Sequence, residues 1–185
     1  MAGGFKYVGS DSQDPMGKIK LFNVDVGHAT RITKGDVVRL TGTSTAAIGI
    51  PEVDAATAAQ TITGVVAGVV PNYATESFTD TGLAASVAGT VLVVTDPFAL
   101  YEVDVSNGPL VVADVGLNAD LVATASTLSG GLSQSNMTLN ATGKNTTSTL
   151  QFRITKILSD SAGVFGNRAQ VRINSTTTVA GATGV

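Results

Sequence analysis

The sequence predicts an all-β fold, a single barrel or jelly-roll-like sandwich behind an extended N-terminal arm, and three observations predict it. Short aliphatic and β-branched runs recur with a period of two, as where Tyr101, Val103 and Val105 oppose Glu102 and Asp104. Gly, Asn and Asp turn signals separate these runs, and almost no stretch repeats at 3.6 residues. Aromatic residues make up only 5% of the chain, so Val, Leu, Ile and Ala must supply most of the core.

From the N-terminus, residues 1–17 are rich in Gly, Ser and Asp and carry one apolar alternation, Phe5 and Tyr7. Such a segment has little to bury in its own domain, so it reads as an extended arm whose Phe5 and Tyr7 anchor on a neighbouring molecule. Residues 18–174 form the barrel or sandwich domain and 175–185 a C-terminal tail. Within Lys18–Val26 the apolar phase slips between Leu21 and Phe22, which predicts a β-bulge there. Thr33–Asp36 is a turn leading into a strand at Val37–Thr41. Asp54–Gln60 has the composition of one helical turn behind an Asp cap. Thr61–Val70 is a strand stopped by Pro71. Gly89–Thr95 and Phe98–Val105 are strands flanking Asp96-Pro97, and Asn107-Gly108 is a turn into Leu110–Val112. Further on, Leu150, Phe152 and Ile154 point to a core while Gln151, Arg153 and Thr155 face away. Beyond a loop at 159–167, Val171 and Ile173 alternate in the same way with Gln170, Arg172 and Asn174.

Composition excludes several chemistries. The absence of cysteine removes disulfides, thiolate metal sites and cysteine nucleophiles together. His28 is the only histidine, no Gly-x-Ser-x-Gly elbow accompanies it, and it cannot build a zinc site alone. Asp11 with Asp14, and the run Asp104–Gly108, lack the oxygen count of a calcium loop and read as solvated turns. Gly143-Lys144 lacks the preceding glycine of a phosphate loop. The reading is therefore of a non-enzyme without cofactor or metal. A mean hydropathy of +0.29 is high, yet no apolar run approaches the ~20 residues of a membrane helix, and a subunit interface is the natural place for the excess. The first residues lack the basic start and apolar core of a secretion signal. Asn136, Asn140, Asn145 and Asn174 head Asn-x-Ser/Thr triplets that a chain this rich in Ser and Thr produces by chance.

Charge is arranged in blocks. Residues 40–143 hold nine of the 14 acids and none of the 11 basic residues, which all lie in the two ends. Block asymmetry of this kind concerns association rather than fold. The basic ends could converge on one face and meet phosphates, but Arg153 and Arg172 alternate with apolar residues as a solvated strand face does. Aromatics for base stacking are missing beside them, so no nucleic-acid partner is expected.

Several segments resemble a known family. They are Gly64–Gly68 (GVVAG), Val93–Asp104 (VVTDPFALYEVD), Asp114–Val122 (DVGLNADLV), Ser133–Asn140 (SQSNMTLN), Thr147–Leu158 (TSTLQFRITKIL) and Asn167–Asn174 (NRAQVRIN). In that order and spacing they are similar to the cement or decoration proteins of tailed bacteriophages, which bind the outside of the capsid. Such proteins often end soon after an Asn-Asn-His at the last strand, whereas this chain runs on to Val185. The resemblance implies a homotrimeric all-β subunit, made in the host cytoplasm and placed on the outer capsid surface of the virion. Its partners would be further copies of itself and the major capsid protein, whose neighbouring subunits it would clamp. The alternative reading is a carbohydrate-binding or host-adhesion module of a virion, against which the lack of Trp and the presence of only three Tyr count. A polysaccharide hydrolase would need two carboxylates poised across a cleft, and no pair stands out.

Overall fold

A computed structural model describes residues 3–11, 18–44, 49–70 and 81–174. Among these residues the chain is all β, and its only helical piece is a 3₁₀ turn at Val112–Asp114. The first six strands are β1 (Lys6–Ser10), β2 (Ile19–Val24), β3 (Val37–Ser44), β4 (Pro51–Ala55), β5 (Gly64–Val70) and β6 (Gly89–Val94). There follow β7 (Ala99–Ser106), β8 (Asn118–Ala119), β9 (Leu121–Val122), β10 (Thr127–Ser129), β11 (Leu132–Gln134), β12 (Thr138–Asn140), β13 (Phe152–Ser159) and β14 (Phe165–Ile173).

Two bodies of sheet share these strands, within the all-β barrel-or-sandwich class that the sequence predicts. Strands β2, β4, β3, β5 and β6 close into a small barrel, with β2 and β4 meeting at the parallel bridge Asn23–Glu52. The remainder form a seven-stranded sheet in the order β8-β13-β14-β7-β12-β9, with β1 added on β7, and a separate hairpin of β10 and β11. The junction is visible in doubled valines. Val38, Val66 and Val93 point into the barrel, while the adjacent Val37, Val65 and Val94 point out of it into a second core against the large sheet. A strand buried on both faces reads as a continuous apolar run rather than an alternation. Much of the high hydropathy is spent here, within one chain.

The N-terminal segment is not a free arm. Its residues 6–10 pair antiparallel with β7, from Lys6 opposite Glu102 to Ser10 opposite Ala99. Just before them the Phe5 N–H donates to the Gly35 carbonyl at 2.9 Å. A strand this short gains little from its own composition; what fixes it is the edge of β7, which supplies ladder bonds to alternate residues on either side of a bulge at Val8. The rest of the expected arm, residues 12–17, lies outside the described residues, as does the expected tail at 175–185.

Three local expectations also change. No bulge interrupts β2, whose register on β6 is continuous from Ile19–Val94 to Val24–Gly89. The phase slip is real burial: Ile19 and Leu21 stand outside the barrel, 51% and 49% exposed, while Phe22 and Val24 fill it. Asp54 caps no helical turn. It lies in β4, and Thr57–Gln60 is a turn whose Thr57 N–H donates to the Gln60 Oε1. Phe152 and Ile154 are wholly buried as expected, but Leu150 precedes the strand and is only half-buried. Gln151, expected to face solvent, is 1% exposed. Its Nε2 donates to the Thr57 and Gln60 carbonyls, both at 2.8 Å, and its Oε1 accepts the Leu121 N–H at 2.9 Å. The amide thus bolts the large sheet to the barrel's turn, and every polar atom is satisfied at the cost of no exposed surface.

Candidate interaction surfaces

Phe5 and Tyr7, the candidate anchors for a neighbour, are turned inward. Phe5 is 2% exposed and stacks on Phe152 with ring centroids 4.6 Å apart. Edge contacts join Phe5 to Tyr101 at 6.5 Å and Tyr7 to Tyr101 at 6.2 Å. Phe5 cannot reach another molecule without leaving the core. Tyr7 is half-buried against the same cluster.

The lone histidine is structural. His28 is 4% exposed, with Nδ1 2.9 Å from the Thr30 carbonyl and Nε2 2.8 Å from the Val87 carbonyl, so it pins the loop after β2 to the segment before β6. Asp36 is likewise a staple. Its carboxylate accepts the Thr33 N–H at 2.8 Å and the Ser126 hydroxyl at 2.7 and 2.8 Å, with Ser135 alongside. Burial raises its pKa above the ordinary aspartate value, and these hydrogen bonds offset only part of the shift. Of the expected solvated turns, Asp104 is instead paired with Arg168 at 3.1 Å. Among the described residues no group of three or more His, Asp or Glu is placed to hold a metal ion.

Charge blocks in the sequence do not become poles in space. Among the acids of residues 40–143, Glu52, Asp96 and Asp114 are buried, the last beside Lys144 at 3.4 Å. Glu102 and Asp104 lie on β7, in the middle of the basic ends. The registers align Arg153 with Arg172 and Leu100, then Lys156 with Gln170, Glu102 and Lys6, then Leu158 with Arg168 and Asp104. The alternate residues on these strands (Ile154, Val171 and Tyr101; Ile157, Ala169 and Val103) are buried in the core. The three charged rows therefore occupy the outer face of the large sheet. Five basic side chains from both ends of the chain meet two carboxylates there. Only Lys6 of the six basic residues near the N-terminus joins four from the C-terminal end here, so the basic ends meet in part and do not form one basic face.

A second surface is apolar. A bond from the Leu110 N–H to the Gly166 carbonyl, 2.9 Å long, ties the segment before the 3₁₀ turn to the start of β14. Gly166 is required there: its φ is 90°, and a Cβ would overlap the Leu110 carbonyl. This contact brings the chain at Val111 and Val112 beside the start of β14 at Val164 and Phe165, four side chains between 49% and 73% exposed; Val115, 44% exposed, lies farther on, where the Gly116 N–H bonds to the Ile154 carbonyl. The β10–β11 hairpin exposes Leu128 and Leu132 as well, at 49% and 58%. No short sequence motif marks the apolar end, since its two halves lie about fifty residues apart in the chain.

Comparison with protein-family models, with curated proteins and with solved structures finds no match for this chain.

Proposed function

We propose that this chain is a virion structural protein, a capsid cement or decoration protein that binds the outer capsid surface as a homotrimer and clamps neighbouring major capsid subunits. Two things support the reading: the ordered resemblance of six segments to tailed-phage cement proteins, and the exposed apolar end around Val112 and Phe165. The second carries it. Four large apolar side chains, Val111, Val112, Val164 and Phe165, flank the Leu110–Gly166 backbone contact and are left wet in a lone subunit, and such exposed apolar groups mark association surfaces. A clamp needs no catalytic group. It binds the assembled lattice in preference to free subunits and so stabilises the shell by linkage, and three linked copies add avidity.

The test has two steps. Light scattering on the purified chain should give three times the mass of one 18.6 kDa subunit. Co-sedimentation with shells of the major capsid protein of the phage that encodes it should then show saturable binding and a raised shell melting temperature. A monomer at micromolar concentration, or a trimer that leaves shells unbound, overturns the reading.

A further inference from the structure

We propose that the open end of the small barrel binds a free medium-chain monocarboxylate, with the acyl chain in the mouth and the carboxylate at Lys18 and Lys20. The inference does not rest on the capsid reading. Strands β2, β4 and β5 begin at this end and β6 finishes there. Two seams of the barrel flare beside it. β2 meets β4 at the single bridge Asn23–Glu52, and β3 meets β5 only through Val37 and Val38. The splayed strands leave a cavity of about 470 Å³. That lies within the ~300–1,000 Å³ usual for small-ligand sites, for which the mouth of a β-barrel is a common place.

Strand register accounts for the lining. Phe22, Val38 and Val53 fill the barrel, and the residues two places nearer the mouth on the same strand faces are Lys20, Leu40 and Pro51. The interior face therefore ends in a lysine above an apolar ring, to which Phe22 and Pro97 also contribute. Lys18 is held at the rim, where its carbonyl accepts the Thr95 N–H at 2.7 Å. Among the described residues neither lysine makes an ion pair, and no acid lines the mouth. The acids next to it in sequence are engaged elsewhere, Asp96 with the Ser10 hydroxyl and the Phe98 N–H, Glu52 with the Thr43 hydroxyl. Thr63 points to the same ligand. It lines the mouth at 5% exposure, and its Oγ1 has no hydrogen-bond partner among the described residues. An unpartnered buried hydroxyl is costly, and a carboxylate seated at the lysines accepts from it as well. Phosphate alone would leave the apolar ring wet, and an alkane would leave the lysines and Thr63 without a partner.

The test is isothermal titration of the intact protein with octanoate below its micelle concentration and, separately, with octan-1-ol. Octanoate should bind at one saturable site, and more tightly than the alcohol. Lys18→Gln with Lys20→Gln should weaken octanoate binding about fivefold or more. Lys6→Gln with Lys156→Gln, which removes the same charge on the large sheet, should change it less than about twofold. Thr63→Val keeps the side-chain shape and should weaken it about threefold or more. Circular dichroism checks that each variant keeps the wild-type fold. Flotation with vesicles of phosphatidylcholine and phosphatidylglycerol separates a free acid from a lipid surface, and the protein should stay unbound. Octanoate binding that is absent, spread over several equivalent sites, unchanged by Thr63→Val or equally weakened by the two lysine pairs overturns the proposal. Flotation that Lys18→Gln with Lys20→Gln abolishes overturns it in favour of a membrane surface.

Discussion

The rings of Phe5 and Phe152 lie 4.6 Å apart and 23° from parallel, so the residue just before β1 and the first residue of β13 close on each other inside one core. Both are at most 2% exposed. Phe152→Ala should cost about 3–5 kcal/mol, the usual range for a large aromatic cavity, and Phe5→Ala a comparable amount. A double-mutant cycle should leave a coupling of about 0.5–1.5 kcal/mol beyond the separate burials. Deleting residues 1–10 should unfold the domain or lower its melting temperature steeply. A deletion that melts within a few degrees of the wild type would restore the free-arm reading.

The bolt at Gln151 predicts a contrast between neighbours. Gln151→Leu keeps the volume but strips partners from two carbonyls and one N–H in a buried place. An unsatisfied buried group costs about 1–3 kcal/mol, so the change should destabilise by at least about 2 kcal/mol. Arg153→Gln, one residue along on the solvent face, should stay within about 0.5 kcal/mol. Denaturant unfolding of the two variants checks this, and equal effects would place Gln151 outside the interior.

How far the sequence foretold this depends on whether a strand has one wet face. β7, β13 and β14 do, and their alternation located them and named Phe152, Ile154, Val171 and Ile173 as core. The barrel strands have none in their middle, so Val37-Val38 and Val65-Val66 carry no period and the two-core arrangement stayed hidden. Phe5 was misplaced because its Gly-rich flanks suggest a loop, and the edge that captures it lies about ninety residues on. Gln151 was misplaced because a polar side chain in a period-two run is normally wet; here a turn of the barrel covers it. The charged face was legible as residues but not as a place, since its rows join Lys6 to Arg168 and Arg172 only through β7.

Tyr101 offers a change in the opposite direction. It is fully buried, and its hydroxyl has no hydrogen-bond partner among the described residues. Burial, with the Asp96 carboxylate nearby, pushes the phenol well above its ordinary value. Removing an unpaired buried hydroxyl costs nothing in bonds and relieves its desolvation. Tyr101→Phe should therefore leave stability unchanged or raise it by about 1 kcal/mol, as read by thermal melting. A loss of more than about 1 kcal/mol would mean that the hydroxyl has a partner, such as an ordered water.

Asp36 sets a pH dependence whose sign follows from its raised value. The folded state holds the proton more tightly than the unfolded chain, whose aspartate titrates near 3.8. The contribution is fully present below that pH and is lost as pH rises through the higher folded value. Asp36→Asn has no such titration. Between pH 3.5 and 7, the stability of the wild type relative to Asp36→Asn should therefore fall. A wild type that gains on the variant over that range would show the staple favouring the ionised form.

The apolar end is where the proposed assembly should break without the fold being touched. Val112 is 73% exposed and Phe165 51%, and neither belongs to a core cluster. In a single subunit a polar group at either position meets water, so Val112→Glu with Phe165→Glu should shift monomer stability by no more than about 0.5 kcal/mol per site. In an oligomer the same groups lie in a contact, where each buried side chain of this size contributes about 1.5–3 kcal/mol and a lone carboxylate is poorly tolerated. On the trimer proposed above, the double variant should thus run as a monomer at concentrations where the wild type associates, with an unchanged circular dichroism spectrum. If the chain binds shells as proposed, the variant should also lose avidity for them, because three linked contacts would become three separate ones. Analytical ultracentrifugation of the two proteins at matched concentrations decides the matter. A variant that stays trimeric moves the subunit contact elsewhere, the β10–β11 hairpin with its exposed Leu128 and Leu132 being next in line.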